Sequence, residues 1–384
     1  MYFTQLGFTA FGGPAAHVAL MERQLVEKRR WLDRRHFLDL LSAINLIPGP
    51  NSTQLAISLG YLRAGPLGLV VAGVCFILPA VLIILPIAYL YVLYGQTPHA
   101  AGAMRGVGAA VLAIVAVAAA KLGKASLKDH FSVAVAFVAA MATVFLHWRH
   151  LPAADVGVLF AAALAGIVHS GWRPKKVMPI IWFTPLAMGA IAPGGMALMA
   201  LLFLKIGATL YGSGYLLLPY LRTNFVTGHA WLTERQLLDS VAVGQVTPGP
   251  LLTTATFIGF ILGYRPEFGG WPGGGWGGAV CGALVATGAI FGPSFVFIAV
   301  LGNVLPKIRN HPAARGALDA MNAAVVALIA VTVVQMSSPV LSGPGAILAR
   351  IISAGTLIVL VKWNVNATWP ILVAGVIGGA TMGT

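Results

Sequence analysis

The chain has 384 residues, of which 58% are hydrophobic and only 9% charged, with a mean hydropathy of +0.88. So little polar surface cannot cover a soluble globule of this length, which excludes a water-soluble enzyme or binding module and leaves an integral membrane protein. The formal net charge of +14 does not point to nucleic acid, because Lys and Arg sit in short loops between apolar runs; they read as topology signals and as a field that draws anions toward a pore mouth.

Apolar runs able to cross about 30 Å of hydrocarbon, which takes roughly 20 helical residues, recur along the whole length, among them 107–120, 131–146 and 156–168 with their flanks. About ten to twelve helical spans are expected at that length per span. No outward-facing strand alternation is visible, so helices rather than a barrel satisfy the backbone. No removable signal peptide is expected at the apolar start.

In chain order, a Gly-rich opening helix from Phe3 to Met21 is interrupted at Phe11-Gly12-Gly13-Pro14. A connector follows that carries Arg23, Lys28, Arg29, Arg30, Arg34 and Arg35, then a segment ending in Pro48-Gly49-Pro50, then a long apolar stretch broken by Pro79, then further hairpins. The first repeat is placed at 1–170, a basic linker at 171–195, and the second repeat at 196–384. Residues 3 to 50 match residues 203 to 250 without a gap: Phe3 meets Phe203, Gly7 Gly207, Trp31 Trp231, Asp39 Asp239, and Pro48-Gly49-Pro50 meets Pro248-Gly249-Pro250. The match resumes after a Gly-rich insert at Pro266–Gly278, where Pro79 meets Pro293 and Pro98 meets Pro312. One fold is used twice. Two copies of a Gly/Pro-interrupted segment in an apolar chain point to a substrate site between the repeats of a secondary transporter.

The two connectors differ in charge. Six basic residues lie between Arg23 and Arg35, but only the end arginines Arg222 and Arg235 remain in the copy. The bias reverses in the next loop, where Lys307, Arg309 and Arg315 face a first-half stretch carrying only Arg105. Opposite bias predicts inverted repeats, with the first connector cytoplasmic; a parallel repeat with uneven loop charge is the alternative. The expected fold is therefore an all-α polytopic bundle of two homologous halves with Gly/Pro-broken helices.

Proline removes a backbone donor and glycine adopts conformations other residues avoid, so Pro-Gly-Pro inside a membrane segment predicts unwound backbone lining a cavity. A half-helix starting there would aim its amino terminus at the cavity, a place suited to an oxyanion. The candidate binding residues are Gly12, Gly13, Pro48, Gly49, Pro50, Asn51, Ser52, Thr53 and Gln54 in the first copy. In the second they are Gly212, Ser213, Pro248, Gly249, Pro250, Thr253 and Thr254. Their hydroxyls and amides either donate to the substrate or bond back to their own helix. Asp39 and Asp239, one turn after Arg35 and Arg235, are candidates for a proton relay or for a simple i,i+4 ion pair. His17 is a lesser coupling candidate, and Asp319 reads as a buried charge opposite Arg105. Cys75 and Cys281 occupy unpaired positions, so neither a disulfide nor a metal framework is expected, and His-Glu-x-x-His is absent.

The strings Phe11-Gly12-Gly13-Pro14-Ala15-Ala16-His17, Trp31-Leu32, Pro48-Gly49-Pro50-Asn51-Ser52-Thr53-Gln54-Leu55, Phe203-Leu204-Lys205-Ile206-Gly207, Tyr211-Gly212-Ser213-Gly214-Tyr215 and Pro248-Gly249-Pro250 resemble those of the chromate ion transporter family in its long, two-domain form. The resemblance runs through both halves. It implies a carrier in the cytoplasmic (inner) membrane that extrudes chromate, coupled to the proton motive force, and so confers chromate resistance; a carrier of sulfate or another oxyanion, or an anion channel, which the broken helices allow equally well, is the alternative. No cofactor, catalytic group or metal is implied. The partners are the oxyanion, protons and the lipid bilayer, and a monomer suffices in principle because both halves of the site are present, with a homodimer as the other option.

Overall fold

The computed structural model describes residues 2–11, 13–149, 154–171, 195–211, 214–268, 274–301, 311–342, 345–363 and 365–382. Among these there is no strand. Among the described residues five helices are long and apolar enough to cross a membrane, and four shorter apolar helices accompany them. The chain is an all-α polytopic membrane protein. This tally covers the described residues alone; within them, breaks cut several of the roughly ten to twelve spans expected from apolar runs into short helices, and one apolar run reverses direction inside itself.

That reversal lies in α4 (Asn51–Tyr94), where the backbone leaves helical geometry at Ala64 and Gly65. Gly65 has φ +60°, a left-handed conformation that glycine adopts at little cost, and Pro66 then supplies a first-turn residue for the returning limb. The two limbs touch through Gly60, Gly68 and Ala72, whose missing or small side chains let the backbones approach. The second half builds the same hairpin from α11 (Thr254–Gly263) and α12 (Gly275–Leu301), with Gly259 and Gly263 against Gly282 and Gly278. In both copies a proline, Pro79 or Pro293, lies within the long limb.

The duplication extends to local backbone detail. In the first half α1 (Tyr2–Thr9) and α2 (Gly13–Met21) are followed by a π-helical turn at Glu22–Lys28 and by α3 (Arg34–Ile44). The second half has α8 (Gly195–Thr209), α9 (Leu217–Leu221), a π-helical turn at Arg222–Gly228 and α10 (Glu234–Val246). Arg30 and Ala230 both have φ +51°, an uncommon conformation for residues other than glycine. The Trp31 and Trp231 amides each bond 2.8 Å to the carbonyl six residues earlier, on Leu25 and Phe225. Each connector is tied by an ion pair across the same two positions with the charges exchanged: Glu22 to Arg34 at 3.0 Å and Glu234 to Arg222 at 2.8 Å.

The halves interlock. α5 (Pro98–Ser126) packs on α15 (Thr368–Thr381), where Gly102 and Gly106 meet Gly378 and Ala374. Reciprocally, α13 (Pro312–Leu341) packs on α7 (Ala154–His169), where Gly316 meets Gly166. Each half thus holds the last helix of the pair belonging to the other. The outer faces stay apolar: Phe137, Val138 and Phe145 on α6 (His130–Trp148) and Ile347, Ile351 and Val361 on α14 (Ala346–Lys362) are exposed, as a surface against acyl chains requires. Asp319, expected as a buried charge, is instead exposed on α13; the helix turns it away from the packed Gly316 and Ala320 side.

Candidate functional site

α3 ends at Ile44 and α10 at Val246, and helix resumes only at Asn51 and Leu251. The intervening Pro-Gly-Pro segments cannot stay helical, since each proline lacks a donor and clashes with the preceding turn. Gly49 has φ +130° and Gly249 φ +100°, values that a side chain would oppose. The free amide of each glycine is satisfied by the other half of the molecule. Gly49 N–H donates to the Leu210 carbonyl at 2.6 Å, and Gly249 N–H donates to the Ala10 carbonyl at 3.1 Å. Ala10 and Leu210 are equivalent residues at the carboxyl ends of α1 and α8, where the opening helices break. Four interruptions, two per repeat, therefore meet at one crossing.

A narrow cleft lies there, lined by Ala10, Gly13, Gly214, Gln245 and Gly249 among others, with about 10 Å³ of free space. That is about one water, so the crossing is closed to a tetrahedral dianion in this conformation. Of the sequence candidates, Gly13 and Gly249 line the cleft, whereas Gly12, Gly212 and Ser213 lie outside the described residues.

The polar residues after the breaks behave differently in the two copies. Thr253 Oγ1 donates to the Pro250 carbonyl at 2.7 Å and Thr254 Oγ1 to the Leu251 carbonyl at 2.8 Å; these hydroxyls bond back to their own segment. In the first copy Gln54 Nε2 donates to the Pro48 carbonyl at 2.6 Å and Asn51 Nδ2 to Asn45 Oδ1 at 2.7 Å. Ser52, Thr53 and Gln54 are buried, yet Thr53 Oγ1 and Gln54 Oε1 have no hydrogen-bond partner among the described residues. Nor does Ser294 Oγ, which is fully buried beside Gly49. A buried polar atom left unmet costs about 1–3 kcal/mol, so the crossing holds unspent hydrogen-bonding capacity at Thr53, Gln54 and Ser294, and at Gln245 Nε2 before the second break, while Thr253 and Thr254 have used theirs. Ser294 escapes a sequence reading because its partner in the repeat is Ala80, next to Pro79, and a mismatch carries no signal.

His17 is fully buried, with Nε2 3.1 Å from the Ala10 carbonyl and its ring edge-on to Phe76. A carbonyl only accepts, so Nε2 carries the proton here, and Ala10 receives both His17 and Gly249. The acids have diverged. Asp239 is buried on α10; its Oδ2 accepts from the Tyr91 hydroxyl at 2.7 Å and lies 3.9 Å from Arg235 Nε, while Oδ1 has no hydrogen-bond partner among the described residues. Asp39 is half-buried on α3 and Arg35 is exposed. The structure thus brings Asp239 and Arg235 together with Tyr91 of the first half, and joins Arg34 to Glu22. A further polar group escaped the sequence reading: buried Asp155, with His147 Nε2 3.6 Å from its Oδ1, and Thr223 Oγ1 3.0 Å from that same nitrogen. An acid inside the apolar run 154–169 was the available signal.

The profile described as "Chromate transporter" matches residues 1–167 and 197–379. A chromate transport protein of Cupriavidus metallidurans is 32% identical over 98% of this chain and 90% of its own length. One from Pseudomonas aeruginosa is 30% identical over the same shares, and a probable chromate transport protein of Synechococcus elongatus is 30% identical over 87% of this chain and 83% of its own. No solved structure matches. The duplicated, broken-helix architecture and these matches agree, and the chain belongs to the chromate transporter family.

Proposed function

We propose that this chain is a secondary carrier that exports chromate across the cytoplasmic membrane by exchange with protons, and that the crossing of the two Pro-Gly-Pro segments is its substrate site. The observation that carries the reading is the reciprocal pair of bonds from Gly49 to Leu210 and from Gly249 to Ala10. Each break is completed by the other half, so movement of one half against the other must open both at once. Helix amino termini at Asn51 and Leu251 offer first-turn amides to an oxyanion, and Thr53, Gln54 and Ser294 supply the unspent side-chain groups. Pro48, Gly49, Pro50, Asn51, Ser52, Pro248, Pro250, Thr253 and Thr254 frame the same place. The halves, 1–170 and 196–384 around a linker at 171–195, act as inverted repeats that rock about the crossing to alternate access.

Asp239 is the proton-coupling residue in this scheme, because it is buried and shared between Tyr91 and Arg235, while Asp39 keeps a peripheral ion-pair role. Sulfate is the competing cargo, as it presents the same tetrahedral dianion to the same donors. The test is labelled chromate uptake into everted vesicles with and without an imposed pH gradient and with excess sulfate. Saturable uptake that rises with the gradient supports proton-coupled export; uptake indifferent to the gradient removes the coupling, and loss of chromate uptake to sulfate at low concentration makes sulfate the cargo.

A further inference from the structure

At the opposite end of α10 from the crossing, several helix ends gather around a larger hollow. The start of α10, the Arg105 turn of α5, the end of α13 and the start of α14 line a hollow of about 390 Å³. Its wall carries two guanidinium groups from different elements, Arg105 and Arg235. Arg105 is exposed and has no ion pair among the described residues. Arg235 donates through Nη2 to the Ala101 carbonyl at 3.1 Å and stands 3.9 Å by Nε from Asp239 Oδ2.

Each acid at this wall has a basic partner, while Glu234 Oε2 and Asp239 Oδ1 have no hydrogen-bond partner among the described residues. Glu234 binds Arg222 at 2.8 Å, and Asp239 accepts from Tyr91 of α4 at 2.7 Å. The Tyr91 bond leaves the Asp239 charge in place, so Asp239 offsets Arg235 and Glu234 offsets Arg222; Arg105 is the uncompensated positive charge at the wall, and its planar guanidinium fork, like that of Arg235 beside it, matches oxyanion geometry. It is joined to the crossing by a single rigid element: Arg235 and Gln245, ten residues apart on α10, are separated by about 15 Å at 1.5 Å per residue, and Gln245 lines the closed cleft.

We propose that this hollow is an anion vestibule, a second oxyanion-binding place between Arg105 and Arg235 that concentrates the substrate at one mouth of the carrier; the identity of that substrate as chromate or sulfate rests on the function proposed above. A tetrahedral oxyanion in solution and the phosphate of an anionic lipid headgroup share the chemistry these arginines recognise, and the vestibule is assigned to the soluble ion.

The test uses the full chain with Cys75 and Cys281 replaced by serine and Ser342→Cys introduced at the wall of the hollow, in phosphatidylcholine nanodiscs. The rates of modification by an anionic and a cationic methanethiosulfonate, each divided by that reagent's rate with a free small thiol, report the local field. The anionic reagent should lead by about ten-fold, Arg105→Gln should remove most of that lead, and sulfate or chromate should slow the reaction. Arg235→Gln should act in the same direction, and if it fails to fold Arg105→Gln alone decides, since Arg105 is exposed. Equal rates for the two reagents, unchanged by Arg105→Gln, would overturn the vestibule. So would a block by added cardiolipin that sulfate does not relieve, which would make the occupant a lipid headgroup. Modification needs no transport. A chain that moves no chromate but keeps the charge preference and the sulfate protection leaves the vestibule standing and removes the chromate reading.

Discussion

Replacing Gly249 by alanine places a methyl group where both the backbone and a neighbour oppose it. The residue has φ +100°, and an added Cβ would lie 2.9 Å from Ala80 Cβ, against roughly 3.5–4.0 Å for carbons in contact. Holding a side chain in so sparsely populated a conformation costs on the order of 1–3 kcal/mol, and overpacking adds about 1–3 kcal/mol more. The variant should therefore lose about 2–6 kcal/mol at the crossing, enough to break the bond to Ala10. Gly65 supplies the comparison, with φ +60° and nothing within 4 Å of an added Cβ. Gly65→Ala should cost only the conformational part, on the order of 1–3 kcal/mol, and leave the crossing intact. Thermal unfolding of the purified variants and chromate flux in vesicles give the two readouts. Gly249→Ala should melt below Gly65→Ala and lose flux at least about ten-fold, a factor worth ~1.4 kcal/mol in the transport barrier, while Gly65→Ala stays near the native rate. Equal stability and equal flux in the two variants would refute the reasoning.

The exchanged ion pairs should differ in worth. Glu234→Ala breaks a pair whose arginine side chain is 15% exposed and is also bound by Gln335, and should cost about 1.5–3 kcal/mol in chemical unfolding; Glu22→Ala, whose partner Arg34 is 75% exposed, should cost under about 1 kcal/mol. Asp239→Asn should flatten the dependence of uptake on a pH gradient while Asp39→Asn leaves it intact; the reverse result would move the coupling site to the first half. Ser294→Ala removes an unmet buried hydroxyl, so it should leave the melting temperature unchanged or higher while raising the KM for chromate, and a lower melting temperature with an unchanged KM would count against a substrate role.

What the sequence makes legible follows from identity between the copies. Phe3 with Phe203 and Gly49 with Gly249 keep the same residue, so the duplicated break is visible by inspection. The exchanged pairs Glu22–Arg34 and Arg222–Glu234 are hidden because an alignment scores swapped charges as mismatches even though the geometry is the same. The hairpin at Ala64-Gly65 is hidden for another reason: both limbs are apolar, so hydropathy runs through the reversal without a dip. The contacts that join the halves, Gly49 to Leu210 and Gly102 to Gly378, are long-range and leave only glycines as a trace. Which polar groups stay unmet, Thr53, Gln54, Gln245 and Ser294, while Thr253 and Thr254 bond back to their own segment, depends on rotamers and neighbours, which no periodicity records.

In the proposed scheme the two Pro-Gly-Pro breaks are the place where substrate is held and access alternates. Labelled chromate flux into everted vesicles, compared between the native chain and Pro50→Ala with Pro250→Ala at equal membrane content, addresses that directly. Prolines that keep the helices from closing over the breaks should be indispensable, so the double variant should insert in the membrane and carry no chromate above empty vesicles. Native flux in a fully inserted double variant would contradict the account.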